Sequence, residues 1–237
     1  MLRVTFVRRC VSEAVGTALL LAAIVGSGIM GERLAAGNVA VALLANTLAT
    51  GAALVALILT FGPISGAHFN PVVTLSDASQ HGIPWREVPG YVTAQIAGAF
   101  VGVAMAHLMF GEPILAASHH VRTGPSQLLS EFIATFGLVA VIWGCARSRS
   151  SAVPFAVGAY ITGAYWFTAS TSFANPAVTL ARAGTDTFAG IRPSDVPGFI
   201  AAQCVGAAVA TLMFRWLLPS LPKDASAVVV AHSQDRA

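Results

Sequence analysis

Long stretches of the chain carry no Asp, Glu, Lys or Arg; the longest span residues 14–31, 34–76, 88–111, 132–146, 150–181 and 196–214. An α-helix needs about 20 apolar residues to cross the hydrocarbon of a bilayer. Four of the stretches fit one crossing each, with 132–146 lengthened at its flanks where charged neighbours snorkel. The other two, 34–76 and 150–181, are too long for one helix and awkward for two. Each is therefore expected to hold a full span followed by a segment that enters the membrane without crossing it. The pattern predicts six spans, near 10–31, 40–61, 88–110, 128–146, 153–172 and 195–217.

Composition agrees with this pattern. Hydrophobic residues are 56% of the 237 and charged residues 10%, whereas soluble domains carry roughly 25% charged residues. So few charges cannot cover a water-facing surface, and the lipid bilayer is the expected first partner. A net charge of +3 spread over short segments forms no basic face, which argues against a nucleic-acid partner. Cys10, Cys145 and Cys204 are odd in number and lack metal spacing, so they are expected to pack as small apolar residues rather than form a disulfide framework. No metal or cofactor is expected.

Arg3, Arg8 and Arg9 ahead of an apolar run have the form of a signal peptide's start. The repeat described next makes that run a retained helix instead. With a cytoplasmic N-terminus, six spans leave Arg3, Arg8, Arg9, Arg86, Arg147, Arg149, Arg215, Lys223 and Arg236 inside, and Arg33, Arg122, Arg182 and Arg192 outside. This asymmetry satisfies the positive-inside rule for a multi-pass protein of the inner (plasma) membrane with both termini cytoplasmic. Residues 1–222 are expected to form a single domain, and the polar tail 223–237 to be disordered.

The two halves copy each other. The eleven residues from Pro89 to Ala99 align with Pro197 to Ala207 at a constant offset of 108, and six are identical. Upstream, His68 to Leu75 answers Phe173 to Leu180 at an offset of 105, and Glu13 to Thr17 answers Glu131 to Thr135 at 118. Each repeat (about 10–110 and 128–218) holds three spans, an odd number, so the second lies inverted relative to the first. Inverted repeats place a functional path at the midplane between them.

Asn70-Pro71 and Asn175-Pro176 sit in the two overlong apolar runs. Asn caps helix N-termini and Pro favours the first helical position, so each pair reads as a helix start. The following segments, Val72 to Ala78 and Ala177 to Ala183, span about two turns and are expected to be half-length helices. Inverted symmetry would bring them tip to tip near the bilayer centre. Each tip carries roughly half a positive charge, so their meeting point repels cations while admitting neutral polar molecules. The amide NH₂ groups of Asn70 and Asn175 would point into the path as donors.

The segment Ser65-Gly66-Ala67-His68-Phe69-Asn70-Pro71-Val72-Val73-Thr74-Leu75, with Asn175-Pro176-Ala177, resembles the paired motifs of the aquaporin (major intrinsic protein) family. The early Glu, the Ala-Gln-x-x-Gly-Ala blocks and the six-span layout match too, over nearly the whole chain. The resemblance implies an all-α membrane protein of six transmembrane helices plus two re-entrant half-helices. It further implies a homotetramer with one pore per subunit, passive conduction, and two motif asparagines that orient the permeating molecule.

Two departures stand out. Val72 occupies a place where the family usually has Ala, and Val178 stands where most members have the Arg that follows the second motif. That Arg belongs to the family's narrow outer filter. Counting by family spacing, the remaining filter positions fall on Thr50, Gly163 and Ser172, so the expected filter of Thr50, Gly163, Ser172 and Val178 is wide and carries no fixed charge. The Val-for-Arg replacement resembles a bacterial, aquaglyceroporin-like subgroup associated with arsenic resistance. The resemblance thus implies small neutral solutes: metalloids such as arsenite, methylated arsenicals, glycerol-like polyols and water.

Arg182 lies one turn beyond Val178 on the same helix face. It is expected either in an outer vestibule, drawing in weak acids or anionic forms, or as a cation capping the half-helix C-terminus. Glu13 and Glu131 are read as structural, accepting backbone hydrogen bonds from the chain that leads into each half-helix, and His68 as holding its loop. His119 and His120, with Arg122, form an outer loop rather than a metal site. Gly98-x-x-x-Gly102 and Gly206-x-x-x-Ala210 allow close helix packing.

An ion-coupled secondary transporter also uses broken helices and inverted repeats, but it needs free ionisable groups near the midplane. The only deep carboxylates here are Glu13 and Glu131. An intramembrane hydrolase is disfavoured, because Val25-Gly26-Ser27-Gly28 lacks nucleophile-turn spacing and no embedded His pairs with a Ser. No catalytic residue is expected.

Overall fold

The computed structural model describes residues 4–148 and 150–218. The expected disordered tail 223–237 lies outside them, as do Arg3, Arg149, Lys223 and Arg236 of the charge asymmetry. All regular structure among the described residues is helical: α1 (Phe6–Leu34), α2 (Val39–Ser65), α3 (Pro71–Ser79), α4 (Val88–Phe110), α5 (Pro125–Ser148), α6 (Val153–Phe167), α7 (Pro176–Arg182) and α8 (Val196–Leu217), with three short 3₁₀ turns. Local chemistry sets the ends. Asn38 caps α2 by accepting from the amides of Ala40 and Val41, and Gly66 closes it in the left-handed region at φ 90°. Proline opens α3, α4, α6, α7 and α8 in the first turn, where no amide hydrogen is missed.

Among the described residues five helices are long and apolar enough to cross a membrane; α6 is shorter, at 15 residues. Its expected end near 172 moves back to Phe167. Thr168 leaves helical geometry at ψ 137°, and its hydroxyl donates to the Ala164 carbonyl at 2.6 Å. The five residues so released feed the approach to α7.

Within each repeat the first helix packs most extensively on the third, α1 on α4 and α5 on α8. In lipid such contacts depend on backbones approaching closely, because hydrocarbon solvates Leu as well as another helix does. A Cβ at Gly98 would run into the Ala14 carbonyl, one at Gly102 into the Ala18 carbonyl, and one at Gly206 into the Phe132 carbonyl. We expect Gly206→Leu to overpack the α5–α8 contact at a cost of about 1–3 kcal/mol, seen as a lower unfolding midpoint in detergent. Gly144→Ala, whose added carbon meets only the Phe214 ring at 3.5 Å, leaves the midpoint unchanged or raised.

The half-helices pack crosswise: α3 contacts α8 of the second repeat as well as α4, and α7 contacts α4 of the first as well as α8. Arg9 pairs with Glu87 at 2.8 Å on the face where α1 begins, and Arg33 with Glu112 at 2.7 Å on the opposite, far face. Between these faces the outward side chains are apolar, Leu48, Val101, Leu108 and Leu212 among them.

Candidate functional site: a pore between two opposed half-helices

The approach to each half-helix is a short loop in unusual backbone geometry. Ala67 and Phe69 before Asn70 have φ of 49° and 50°; Ser172 and Ala174, the same positions before Asn175, have 51° and 49°. Left-handed backbone outside glycine costs on the order of 1–3 kcal/mol per residue and persists only where surroundings impose it. Two buried carboxylates impose it here. Glu13 accepts from the amides of His68 at 3.0 Å and Phe69 at 2.7 Å, the Ser65 hydroxyl at 2.7 Å and the Gln95 side chain at 2.8 Å. Glu131 accepts from the amides of Phe173 and Ala174, both at 2.9 Å, and from Gln203 at 2.6 Å.

Gln95 and Gln203 each donate a second bond to the hydroxyl of a half-helix residue, Thr74 at 2.9 Å and Thr179 at 2.8 Å. They tie carboxylate, loop and half-helix together. Sequence reasoning noted both glutamines only as identities within the repeat. His68 belongs to the same scaffold: its Nδ1 lies 3.1 Å from the Thr74 hydroxyl and its Nε2 3.8 Å from Asp77.

Asn70 and Asn175 cap their half-helices through their side-chain oxygens, Asn70 accepting from Val72 and Asn175 from Ala177 and Val178. Each amide nitrogen donates across the midplane to the loop of the other repeat: Asn70 to the Ala174 carbonyl at 2.8 Å and Asn175 to the Phe69 carbonyl at 2.7 Å. An amide NH₂ carries two hydrogens, so each asparagine keeps one for a molecule beside it. Both line a single cavity of about 70 Å³, roughly five times the 10–15 Å³ that one water needs on that measure. Pro71, Val72, Pro176 and Ala177 are buried behind them at the contact between the two tips.

The cavity wall is mostly apolar with a few polar groups. Leu20, Ile24, Leu54, Ile58, Leu138 and Ile142 from both repeats line it; His68, the asparagines, Ser172 and Thr50 supply polar groups. Along α6, Val153, Val157, Ile161 and Tyr165 reach it at successive intervals of four, one helical face.

That register corrects one filter position. Gly163 is exposed on α6 and is not among the residues lining the cavity; a side-chain carbon added there would come no nearer than 3.9 Å to the Phe167 ring. Tyr165 does, its hydroxyl 3.4 Å from the Thr50 hydroxyl. Counting back from Asn175 fixes a distance along the chain but not which face of α6 a residue occupies. Thr50, Ser172 and Val178 do line the cavity.

A charged side chain also reaches this cavity. Arg182 is 2% exposed and lines the same cavity. Its Nε donates to the Ala189 carbonyl, and its guanidinium carbon lies 3.4 Å from the centre of the Phe173 ring. Among the described residues it bonds none of the last-turn carbonyls of α7, although it sits in that last turn. Further out, His119 bonds Asp186 through its amide at 2.8 Å and its ring at 2.9 Å, and these bonds hold the Asp186 carboxyl below the usual carboxylate range. No group of three potential metal ligands occurs among the described residues.

An inverted repeat whose opposed half-helices meet around one lined cavity defines a membrane channel. The sequence profile described as "Major intrinsic protein" matches residues 1–169. Over 216 residues the chain is 59% identical to Aquaglyceroporin AqpS of Rhizobium meliloti (strain 1021), covering 91% of this chain and 92% of that protein. Aquaporin NIP1-1 of Oryza sativa subsp. japonica is 35% identical over 166 residues, 67% of this chain and 56% of that protein. The X-ray structure of the aquaglyceroporin from Plasmodium falciparum shares the fold, with a TM-score of 0.73 and 24% identity over 92% of this chain and 99% of that one. The chain belongs to the major intrinsic protein family, whose members are channels and not enzymes.

Proposed function

We propose that the protein conducts small uncharged solutes passively: water, glycerol-like polyols and neutral metalloid hydroxides such as arsenite, methylated arsenicals among them. The observation that carries this reading is the pair of asparagine amides at the meeting of two helix tips, each with one hydrogen to offer and no carboxylate beside it. Summed helix dipoles there oppose cations, and a wall that combines apolar side chains with a few hydrogen-bonding groups suits small hydroxylated solutes. Similarity to a protein named aquaglyceroporin supports the polyol class. Ion coupling is disfavoured because Glu13 and Glu131 are each occupied by at least three structural donors.

The working form on this reading is a homotetramer with one pore per subunit. The cytoplasmic face is the one where α1 begins, and the membrane is the inner (plasma) membrane. Stopped-flow measurements on proteoliposomes test the function with water, glycerol and arsenite in turn. The expected result is equilibration of all three well above empty vesicles, unaffected by collapse of a proton gradient. Rates at the level of empty vesicles, or a requirement for the gradient, would overturn it.

A further inference from the structure

Arg182 and Ser172 share a property that the lining residues around them lack. The Nη1 of Arg182 and the hydroxyl of Ser172 are buried without a hydrogen-bond partner among the described residues, and both belong to the wall of the central cavity. A buried, unpaired guanidinium N–H is costly unless something passing through supplies an acceptor.

The group is also held rigidly. The Nε bond to Ala189 fixes one edge, and stacking on Phe173 fixes the plane. Phe173 is held in turn by its amide bond to Glu131 and by the Phe199 ring, edge-on at 5.3 Å. A second cation, Arg122, lies 5.0 Å from the same ring centre and bonds the carbonyls of Gly190 and Ser170, bracing the segments on either side.

The placement follows from the repeat. At the offset of 105, Arg182 corresponds to Asp77 and Phe173 to His68, and in the first half those two side chains also meet, at 3.8 Å. A side chain seven residues beyond the motif asparagine therefore reaches back to the ring two residues before it in both halves. In the second half the residue so placed is a cation at the cavity wall.

We propose that Arg182 is the specificity-determining residue of the far-side constriction, supplying from one turn farther along α7 the fixed guanidinium that Val178 does not carry. With Ser172 and the Tyr165–Thr50 hydroxyl pair it forms a hydrogen-bonding ring that admits compact solutes bearing acceptor oxygens and rejects cations. The inference rests on the channel reading above and adds a residue to it.

The test uses the full chain in proteoliposomes, with water, glycerol, ribitol as a longer polyol, and sodium and proton leak measured on the same preparations. Wild-type conduction of water and glycerol establishes the channel reading on its own. Arg182→Ala is then expected to raise ribitol relative to glycerol by roughly tenfold or more, the scale of one charge-assisted hydrogen bond, and to admit sodium or protons. Arg182→Gln, which retains a donor for Ala189 but no charge, is expected to show the same leak if the alanine variant folds poorly. Returning the cation one turn inward, in Arg182→Ala with Val178→Arg, should restore cation exclusion. Unchanged ribitol cut-off and leak in a water-conducting variant would overturn the proposal. So would an equal loss of every permeability in both single variants, which would mark Arg182 as structural.

Discussion

Glu131→Gln is expected to abolish conduction and to leave little folded protein. The carboxylate accepts the amides of Phe173 and Ala174 and the Gln203 side chain, and all three donors converge on its two oxygens. Glutamine keeps one oxygen and turns an NH₂ group toward N–H donors. At least one backbone amide is then stranded, beside a loop already in left-handed geometry at Ser172 and Ala174. Each buried orphan costs about 1–3 kcal/mol. One stranded amide, with the misdirected NH₂ beside it, is a sizeable share of a fold whose whole margin is about 5–15 kcal/mol. Gln203→Ala removes one donor and strands no amide, so it should cost about 1–2 kcal/mol and keep partial activity. Monodisperse yield in detergent and water conductance after reconstitution check both. Wild-type conductance in Glu131→Gln would show that the loop holds its shape without the carboxylate.

Val178→Arg is expected to separate solutes by size. Val178 is 3% exposed in the cavity wall, one turn from Arg182 on the same face. A second guanidinium there fills space beside the first. An added steric barrier of about 1.4 kcal/mol slows a solute roughly tenfold, and glycerol or arsenite should meet it where a water molecule largely does not. Glycerol and arsenite conduction should therefore drop at least about tenfold while water falls much less. Equal loss of all three would count against position 178 as part of the constriction.

What could be read in advance followed periodicity and symmetry. Charge-free runs located the spans because a bilayer tolerates few charges, and α4 runs over Val88–Phe110, matching its expected span. Asn-Pro pairs marked the half-helix starts because capping is a local property. That Glu13 and Glu131 reach the loop amides was legible because they recur ahead of both motifs. Gly163 failed for a different reason: distance counted back from Asn175 does not tell which face of α6 a residue occupies. The four-residue rhythm of Val153, Val157, Ile161 and Tyr165 carried the right answer within α6 itself. The direction of Arg182 was not legible, since spacing places its Cα one turn from Val178 but does not tell where a long side chain folds back. The left-handed residues were silent too, because Phe69 and Ala174 have no sequence mark of that geometry.

The crosswise seating of the half-helices bears on how the chain is made. The stub Pro71–Ser79 leans on the helix Val196–Leu217 of the other repeat, and Gln203 on that helix completes the clasp around Glu131. A nascent chain that has delivered only its first three spans holds one wall of the conduit and none of the partner that shapes it. On the channel reading, the path between the two half-helices is complete only once Val196–Leu217 is seated against both of them.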